Sequence, residues 1–88
     1  MAYTVHVKKS AVKELAQLPR REQRRIASAI DDLATAPRPT GARKLVGTDD
    51  TYRLRVGDYR VLYELVDDRL VVLVIRIGHR KDIYRKSK

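Results

Sequence analysis

The chain contains no cysteine, which excludes disulfide bridges and thiolate metal sites as sources of stability. Stability must come from packed apolar residues, which make up 43% of the 88 residues and suffice for one small core. No run approaches the ~20 apolar residues that span a bilayer, and the N-terminal segment MAYTVHVKKS lacks the hydrophobic stretch of a signal peptide. We therefore expect a single soluble domain in a reducing cytoplasm.

Acidic residues are few, with 11 Asp and Glu against 20 Lys and Arg, so the formal net charge is +9. A charge of this size favours a polyanionic partner, because bound cations are released and the encounter is steered electrostatically. Composition alone also allows a protein that is merely basic. The sequence shows no internal repeat, no linker and no His/Cys/Asp cluster with metal-ligand spacing, so we expect neither a metal nor a cofactor.

The first half of the chain has the periodicity of a strand followed by two helices. Tyr3, Val5 and Val7 alternate with polar residues, as in a half-buried strand. Ser10 is the predicted cap of a first helix that ends near Pro19, where the second helix begins. The apolar positions at helical spacing are Ala11, Leu15 and Leu18, then Ile26, Ile30, Leu33 and Ala34.

After a loop that contains Pro37, Pro39 and Gly41, the pattern changes to strands over 51–56, 59–66 and 70–77. Gly57-Asp58 has the composition of a two-residue hairpin turn. The predicted fold is α+β, a small antiparallel sheet in β-α-α-β-β-β order with an N-terminal helical hairpin packed on one face. Both alternating sets of the 70–77 run are apolar, so the second face needs either a partner protein or a strongly twisted sheet that folds over itself.

Three arginines within the predicted strands suggest a fixed anion site. Arg53 and Arg55 share one face of a strand and are separated by roughly 6.6 Å along it. Arg60 returns across the hairpin. Rigid guanidinium groups that stay charged suit them to grip a phosphodiester and to stabilise the charge that develops on its phosphorus centre.

Arginine cannot take up a proton, so cleavage of a phosphodiester would need further groups. The titratable candidates expected near the arginines are His79, Lys81 and Tyr84. Histidine is the residue type whose unperturbed pKa is nearest to neutrality, and guanidinium neighbours could depress the pKa of Tyr84. A histidine after a strand can equally be a plain surface residue, and the tyrosine can equally be a packing residue.

A second group of arginines stands at the start of the second helix. Positive charge there opposes the helix dipole. The group is either a solvated face or an auxiliary patch for a nucleic-acid backbone. Its members are Arg20, Arg21, Arg24 and Arg25.

Three segments in order resemble the RelE family within the RelE/ParE superfamily of bacterial and archaeal toxins: KLVG at 44–47, YRLRVGDYRVLY at 52–63 and IGHRKDIY at 77–84. The similarity extends over nearly all of the chain, which indicates a single RelE-like toxin domain over 1–88. The resemblance implies the toxin of a type II toxin–antitoxin system. Such a toxin is a metal-independent, ribosome-dependent mRNA endonuclease (mRNA interferase) that inhibits translation. It promotes attack of a ribose 2′-hydroxyl on the adjacent phosphate, which yields a 2′,3′-cyclic phosphate and a 5′-hydroxyl.

The resemblance also implies site residues. The implied catalytic residues are Arg53, Arg55, Arg60, His79, Arg80 and Tyr84, and the implied RNA contacts are Lys44, Arg53, Arg55, Arg76, Lys81 and Arg85. The best-studied RelE enzymes carry lysines at the positions of Arg53 and Arg55, and a lysine of lowered pKa can act as a base whereas arginine cannot. The residue that transfers protons is therefore left open between His79 and Tyr84.

The implied partners are a cognate antitoxin, whose acidic extended or helical segment covers the sheet, and messenger RNA in the ribosomal A site. Operator DNA is expected only through the antitoxin complex, and no membrane is expected. Two alternatives belong to different classes. A ParE-like toxin would poison DNA gyrase without a nuclease site, and a non-catalytic RNA-binding member would use the arginines only to hold phosphates.

Overall fold

The computed structural model describes residues 2–79, which form a five-stranded sheet with two helices. The elements are β1 (Thr4–Val7), α1 (Lys9–Ala16), α2 (Arg20–Asp32), β2 (Ala42–Lys44), β3 (Thr51–Val56), β4 (Tyr59–Val66), a 3₁₀ turn (Asp67–Arg69) and β5 (Val71–His79). The strands lie side by side in the order β1-β5-β4-β3-β2. Within 2–79, neither helix is long and apolar enough to cross a membrane.

The α+β class, the helical hairpin and the three-strand meander of β3, β4 and β5 are confirmed, but the sheet is mixed rather than purely antiparallel. β1 pairs with β5 in parallel, with Val5 opposite Val72. Only a tight hairpin forces neighbouring strands to run antiparallel, and β1 is separated from β5 by most of the chain. The sheet also has a strand that the sequence did not predict, the short β2 at the edge beside β3.

The first helix starts one residue before its predicted cap. Lys8 occupies the N-cap position of α1, no side chain caps this end, and Ser10 lies inside the first turn. The backbone explains the shift, because the Lys8 N–H donates to the Val74 carbonyl at 2.9 Å and so fixes where the chain leaves the sheet. The start of α2 agrees with the prediction, since Pro19 stands at its N-cap and Arg20 is its first residue.

The core lies between the helices and one face of the sheet, called here the helix-covered face. The predicted stripe of α2 supplies Ile26, Ile30 and Leu33, each at most 4% exposed. The strands and α1 contribute the remaining buried apolar residues, which are Ala11, Leu54, Val61, Tyr63, Leu65, Val72, Val74 and Ile77. Because the core draws on both helices and on three strands, the sheet has a fixed orientation towards the helices.

A β-bulge in β5 changes which residues face the core. Leu62 pairs with Arg76 and Tyr63 pairs with Val74, so Ile75 is an extra residue without an opposite partner. Beyond the bulge the alternation is inverted, and Ile77 becomes buried while Arg76 turns to the other face. Unbroken alternation along the 70–77 run would place Ile77 on one face with Val71, Leu73 and Ile75, and the bulge moves it to the opposite face.

Past the end of β1, the side chain of Glu14 covers the edge of β5. Its carboxylate accepts a hydrogen bond from the Ile77 backbone N–H at 2.8 Å and another from Arg76 Nε at 3.0 Å. One side chain thereby satisfies a backbone donor that has no neighbouring strand and also neutralises an arginine. This contact joins α1 to β5 and fixes Arg76 next to the bulge.

A polar network holds the loop between α2 and β2. The Arg38 guanidinium donates to Asp67 Oδ2 at 2.7 Å and to the Tyr52 hydroxyl at 3.0 Å, and the Tyr3 hydroxyl donates to Asp67 Oδ1 at 2.7 Å. The bonds from Arg38 and Tyr3 lower the pKa of Asp67 from its ordinary value. The network ties this loop to the residue before β1, to β3 and to the 3₁₀ turn.

Candidate nucleic-acid interface

The strand registers bring four arginines to the second face of the sheet, called here the open face. Arg43 of β2 lies opposite Arg53 of β3, and Arg55 of β3 lies opposite Arg60 of β4. Directly opposed residues of an antiparallel pair project from the same face. Arg53 and Arg55 alternate with Leu54, which is buried on the helix-covered face, so all four arginines belong to the open face.

These arginines line one cleft of about 490 Å³. The lining residues are Thr40, Gly41, Arg43, Arg53, Arg55, Gly57 and Arg60. No described residue of the lining is acidic, so the cleft combines four like charges with two glycines and one hydroxyl group. Four guanidinium groups at close range repel one another, and an anion bound between them removes that repulsion. The cleft therefore has the charge and shape of an anion site, called here the arginine cleft.

The turn after β3 helps to hold Arg55. Its Nε donates to the Gly57 carbonyl at 3.1 Å, so the side chain lies along the turn instead of extending freely into solvent. Gly57 has φ of +63°, a left-handed conformation that glycine adopts without strain, as the predicted Gly57-Asp58 turn requires. The prediction of this hairpin is confirmed.

The structure does not bring His79 into the arginine cleft. His79 lies opposite Tyr59 in the β4–β5 pair, and the two rings meet edge to face with their centroids 5.6 Å apart. Tyr59 packs against the core, so both rings belong to the helix-covered face. The next pair, Arg60 with Gly78, belongs to the open face. The bulge in β5 is the physical reason, because it inverts the faces of all residues after Ile75.

Two predicted RNA contacts also lie away from the cleft. Lys44 is exposed, but it pairs with Tyr52 and therefore belongs to the helix-covered face of its edge strand. Arg76 is held by Glu14. The predictions at Arg80, Lys81, Tyr84 and Arg85 lie outside the described residues.

One arginine of the cleft, Arg43, was missed by the sequence analysis. Its strand has only three residues and was interpreted as part of a loop. A usable signal was present, because a turn centred on Gly47–Asp50 folds the preceding segment back along β3 and so aligns Arg43 with Arg53. Thr40 and Gly41 were missed as well, since only the tertiary fold brings their loop against β3 and β4.

Beside the arginine cleft, the open face carries half-buried apolar residues of β4 and β5, called here the apolar patch. They are Leu62, Val66, Val71 and Leu73. They alternate with the buried Val61, Tyr63, Leu65 and Val72, and they do not belong to the residues that pack against the core. The two apolar sets of the last strand predicted that both faces need cover, and within residues 2–79 the described core covers only the other face. The open face is thus basic at one end and mainly apolar at the other, where Glu64, opposite Leu73, stands among the apolar residues.

No group of three or more His, Asp or Glu side chains within residues 2–79 could hold a metal ion. The chemistry that this part of the chain offers is concentrated positive charge, presented by strands on a rigid sheet.

Comparison with known proteins identifies the class to which this fold and cleft belong. Residues 5–84 match the family model of the ParE toxin of type II toxin–antitoxin systems. The chain therefore belongs to the RelE/ParE superfamily of toxins, and its similarity to RelE proteins over almost its whole length makes it a member of the RelE family within that superfamily.

Two curated relatives and one solved structure show this similarity. The toxin RelG of Mycobacterium tuberculosis is 37% identical over 90 residues, covering 98% of this chain and 100% of the relative. The mRNA interferase toxin RelE of Escherichia coli K12 is 32% identical over 91 residues, covering 99% and 95%. In the crystal structure of the archaeal RelE–RelB complex from Pyrococcus horikoshii, a chain that is 36% identical superposes with a TM-score of 0.82, covering 93% of this chain and 99% of that one.

Proposed function

We propose that this protein is the toxin of a type II toxin–antitoxin system and acts as an mRNA interferase, a metal-independent endoribonuclease that cleaves ribosome-bound message. The observation that carries the proposal is the convergence of Arg43, Arg53, Arg55 and Arg60 from three strands on one cleft. The similarity to the E. coli mRNA interferase over almost the whole chain supports the same reaction.

In the proposed reaction, the 2′-oxygen of a ribose forms a bond to the adjacent phosphorus, and the bond from phosphorus to the 5′-oxygen of the next nucleotide breaks. The 2′-hydroxyl loses a proton and the departing 5′-oxygen gains one, so the products are a 2′,3′-cyclic phosphate and a 5′-hydroxyl. Negative charge accumulates on the non-bridging oxygens as phosphorus becomes pentacoordinate. The guanidinium groups of the arginine cleft stabilise this charge because they are already oriented by the strands before the reaction begins.

The proton transfers need a group other than the described lining residues, which are arginines, glycines and one threonine and include no histidine, carboxylate or tyrosine. We assign them to Tyr84, which follows β5 by five residues and which the family resemblance equates with a catalytic tyrosine. His79 is the second candidate. Its ring lies on the helix-covered face beside Tyr59, so it is the less direct choice for a phosphate held on the open face.

Replacing each candidate tests this assignment. Tyr84→Phe is expected to slow cleavage of ribosome-bound message by about 10²-fold, the typical contribution of one positioned acid or base. His79→Ala is expected to slow it by less than about tenfold, because the ring supports Tyr59 rather than the reacting phosphate. Single-turnover cleavage on programmed ribosomes measures both. Near wild-type rates for Tyr84→Phe together with a large loss for His79→Ala would transfer the role to the histidine.

The open face also defines the partner that we propose, a cognate antitoxin. An amphipathic chain with acidic residues could cover the apolar patch and the arginine cleft together, since the two adjoin on one face. The structures of RelE with the antitoxin RelB from P. horikoshii and from E. coli support such a partner. Operator DNA would be bound through this complex, and free toxin would act on messenger RNA in the ribosomal A site, in the cytoplasm.

Mapping the 5′ ends of messages after induced expression tests the proposed function as a whole. We expect new 5′-hydroxyl ends inside coding sequences, and translation that stops before replication does. The ParE description of the matching family model makes a gyrase poison the second candidate. Arrest of replication with intact messages would select that candidate, and absence of toxicity would select a non-catalytic RNA-binding protein.

A further inference from the structure

The packing around Gly57 connects the arginine cleft to α2. A Cβ atom placed on Gly57 would lie 2.9 Å from Nη1 of Arg25 and 3.2 Å from both Cζ and Nη2. The whole guanidinium group of Arg25 therefore lies against the bare Cα of Gly57, in the space that any side chain at this position would enter. Gly57 itself lines the arginine cleft.

This arrangement extends the row of charges along β3. Arg53 and Arg55 are two residues apart, roughly 6.6 Å along the strand, and Gly57 is two residues further on. Gly57 has no charged side chain of its own, but the guanidinium group of Arg25 reaches Gly57 from the helix-covered side. Arg55 holds the same residue from the sheet side, through the bond from its Nε to the Gly57 carbonyl at 3.1 Å. Arg25 and Arg55 thus meet at one residue on the rim of the cleft.

Arg25 is well placed to bind a ligand. Its side chain is 54% exposed, and its ion pair with Glu22 of the same helix is long, at 3.5 Å. The Glu22 side chain is 23% exposed, and its Oε1, the oxygen of this pair, is buried without a hydrogen bond. The guanidinium has several N–H donors, so Arg25 can keep this pair through Nη1 and still donate to a phosphate from its exposed part. Arg21, one helical turn earlier on the same side of α2, is also exposed and adds to the local positive field.

We propose that Arg25 forms a second phosphate subsite, contiguous with the arginine cleft, that binds the RNA phosphate next to the one held by Arg53, Arg55 and Arg60. The inference rests on the proposed function for the identity of the ligand. The sequence left two roles open for the arginines of α2, a solvated face or a nucleic-acid patch. The proposal assigns a nucleic-acid contact to one of them, Arg25. Gly57 serves this subsite twice, by forming the turn and by leaving room for the guanidinium.

The test uses purified toxin and a non-cleavable 2′-O-methyl RNA octanucleotide, with binding followed by fluorescence anisotropy at several salt concentrations. Arg25→Gln is expected to raise Kd about five- to tenfold at physiological salt. It is also expected to reduce the slope of log K against log salt by about 0.7, the value for one contact to a single-stranded phosphate. The matched control is Arg69→Gln, which removes one exposed arginine from the turn at the opposite end of β4 and should leave the slope unchanged.

Two further arms make the subsite falsifiable. Gly57→Asn tolerates the left-handed turn, but its Cβ displaces the Arg25 guanidinium, so it should weaken binding in the wild-type background and add little to Arg25→Gln. An octanucleotide in which one methylphosphonate neutralises a single phosphate, scanned along the strand, should lose affinity for wild type at two adjacent positions. At one of these two positions, neutralising the phosphate should cause no further loss of affinity for the Arg25→Gln variant.

The outcomes separate this subsite from the proposed function. Equal effects of Arg25→Gln and Arg69→Gln, or a loss seen only on ribosomes and not on the octanucleotide, would overturn the subsite and indicate diffuse or ribosomal RNA contacts. If the octanucleotide results hold while no message is cleaved after induction, the nuclease proposal fails and the phosphate subsite stands.

Discussion

The double variant Arg53→Gln/Arg55→Gln should lose at least about 10³-fold in the rate of message cleavage, and cells that express it should grow normally. Removing one preorganised donor to a developing oxyanion typically costs 10²- to 10³-fold, and this variant removes two from the centre of the arginine cleft. Single-turnover cleavage on programmed ribosomes gives the rate. Growth after induction gives the toxicity.

A loss of folding should not explain that result. Arg55 is exposed, Arg53 is half-buried, and neither belongs to the core. The thermal unfolding midpoint should therefore stay within a few degrees of that of wild type, because substitutions outside the core usually have small effects on stability. The charge-matched control is Lys13→Gln/Arg69→Gln, at exposed positions outside the cleft. Cleavage by the arginine variant within about threefold of this control would show that the cleft is not the reaction site.

The second large effect is expected on stability, from Tyr63→Ala. The Tyr63 side chain is 0% exposed, stacks on Tyr52 with ring centroids 5.7 Å apart, and donates its hydroxyl hydrogen to the Pro37 carbonyl at 2.8 Å. Truncating a buried aromatic residue typically costs about 3–5 kcal/mol. Because a small domain is stable by only about 5–15 kcal/mol, Tyr63→Ala should lose a large part of its free energy of unfolding. Urea unfolding followed by circular dichroism measures the loss.

The control Tyr63→Phe keeps the ring and loses only the hydrogen bond to Pro37, so it should cost about 1 kcal/mol. It also isolates a pH effect. Burial and the neighbouring Tyr52 raise the pKa of Tyr63 to about 12, above the ordinary tyrosine value of 10.0. Since the folded state keeps this proton longer than the unfolded state, wild type should lose stability as pH rises from 10 towards 12. Tyr63→Phe should lose less over that interval. Equal costs for the alanine and phenylalanine variants would contradict the packing role of the ring.

Local chemistry in the sequence accounts for much of the fold. The stripe of Ile26 and Ile30 required a helix that packs on a sheet, and Gly57-Asp58 required a turn with left-handed backbone. The alternation of Leu54 with Arg53 and Arg55 predicted that the two arginines share one face of their strand, opposite to Leu54. These features depend on residues near one another in the chain, where period and turn chemistry act directly.

Pairing between distant segments was beyond the reach of the sequence pattern. The parallel contact of β1 with β5 and the short strand that carries Arg43 depend on which edges remain free after the meander has formed. The Arg25 contact with Gly57 likewise needs the angle at which α2 crosses the sheet. Each depends on global packing, which a local period does not encode.

The sequence by itself determined that this is a small basic α+β domain, a RelE-family toxin, whose strand arginines share one face. The tertiary structure alone decided on which face of the sheet each residue after Ile75 lies, because Ile75 has no opposite partner in β4 and inverts the alternation. As a result of that bulge, Ile77 is buried, Arg76 forms an ion pair with Glu14, and His79 faces away from the arginine cleft. The physical reason is that side chains alternate strictly along a strand, so a single inserted residue moves every later side chain to the opposite face.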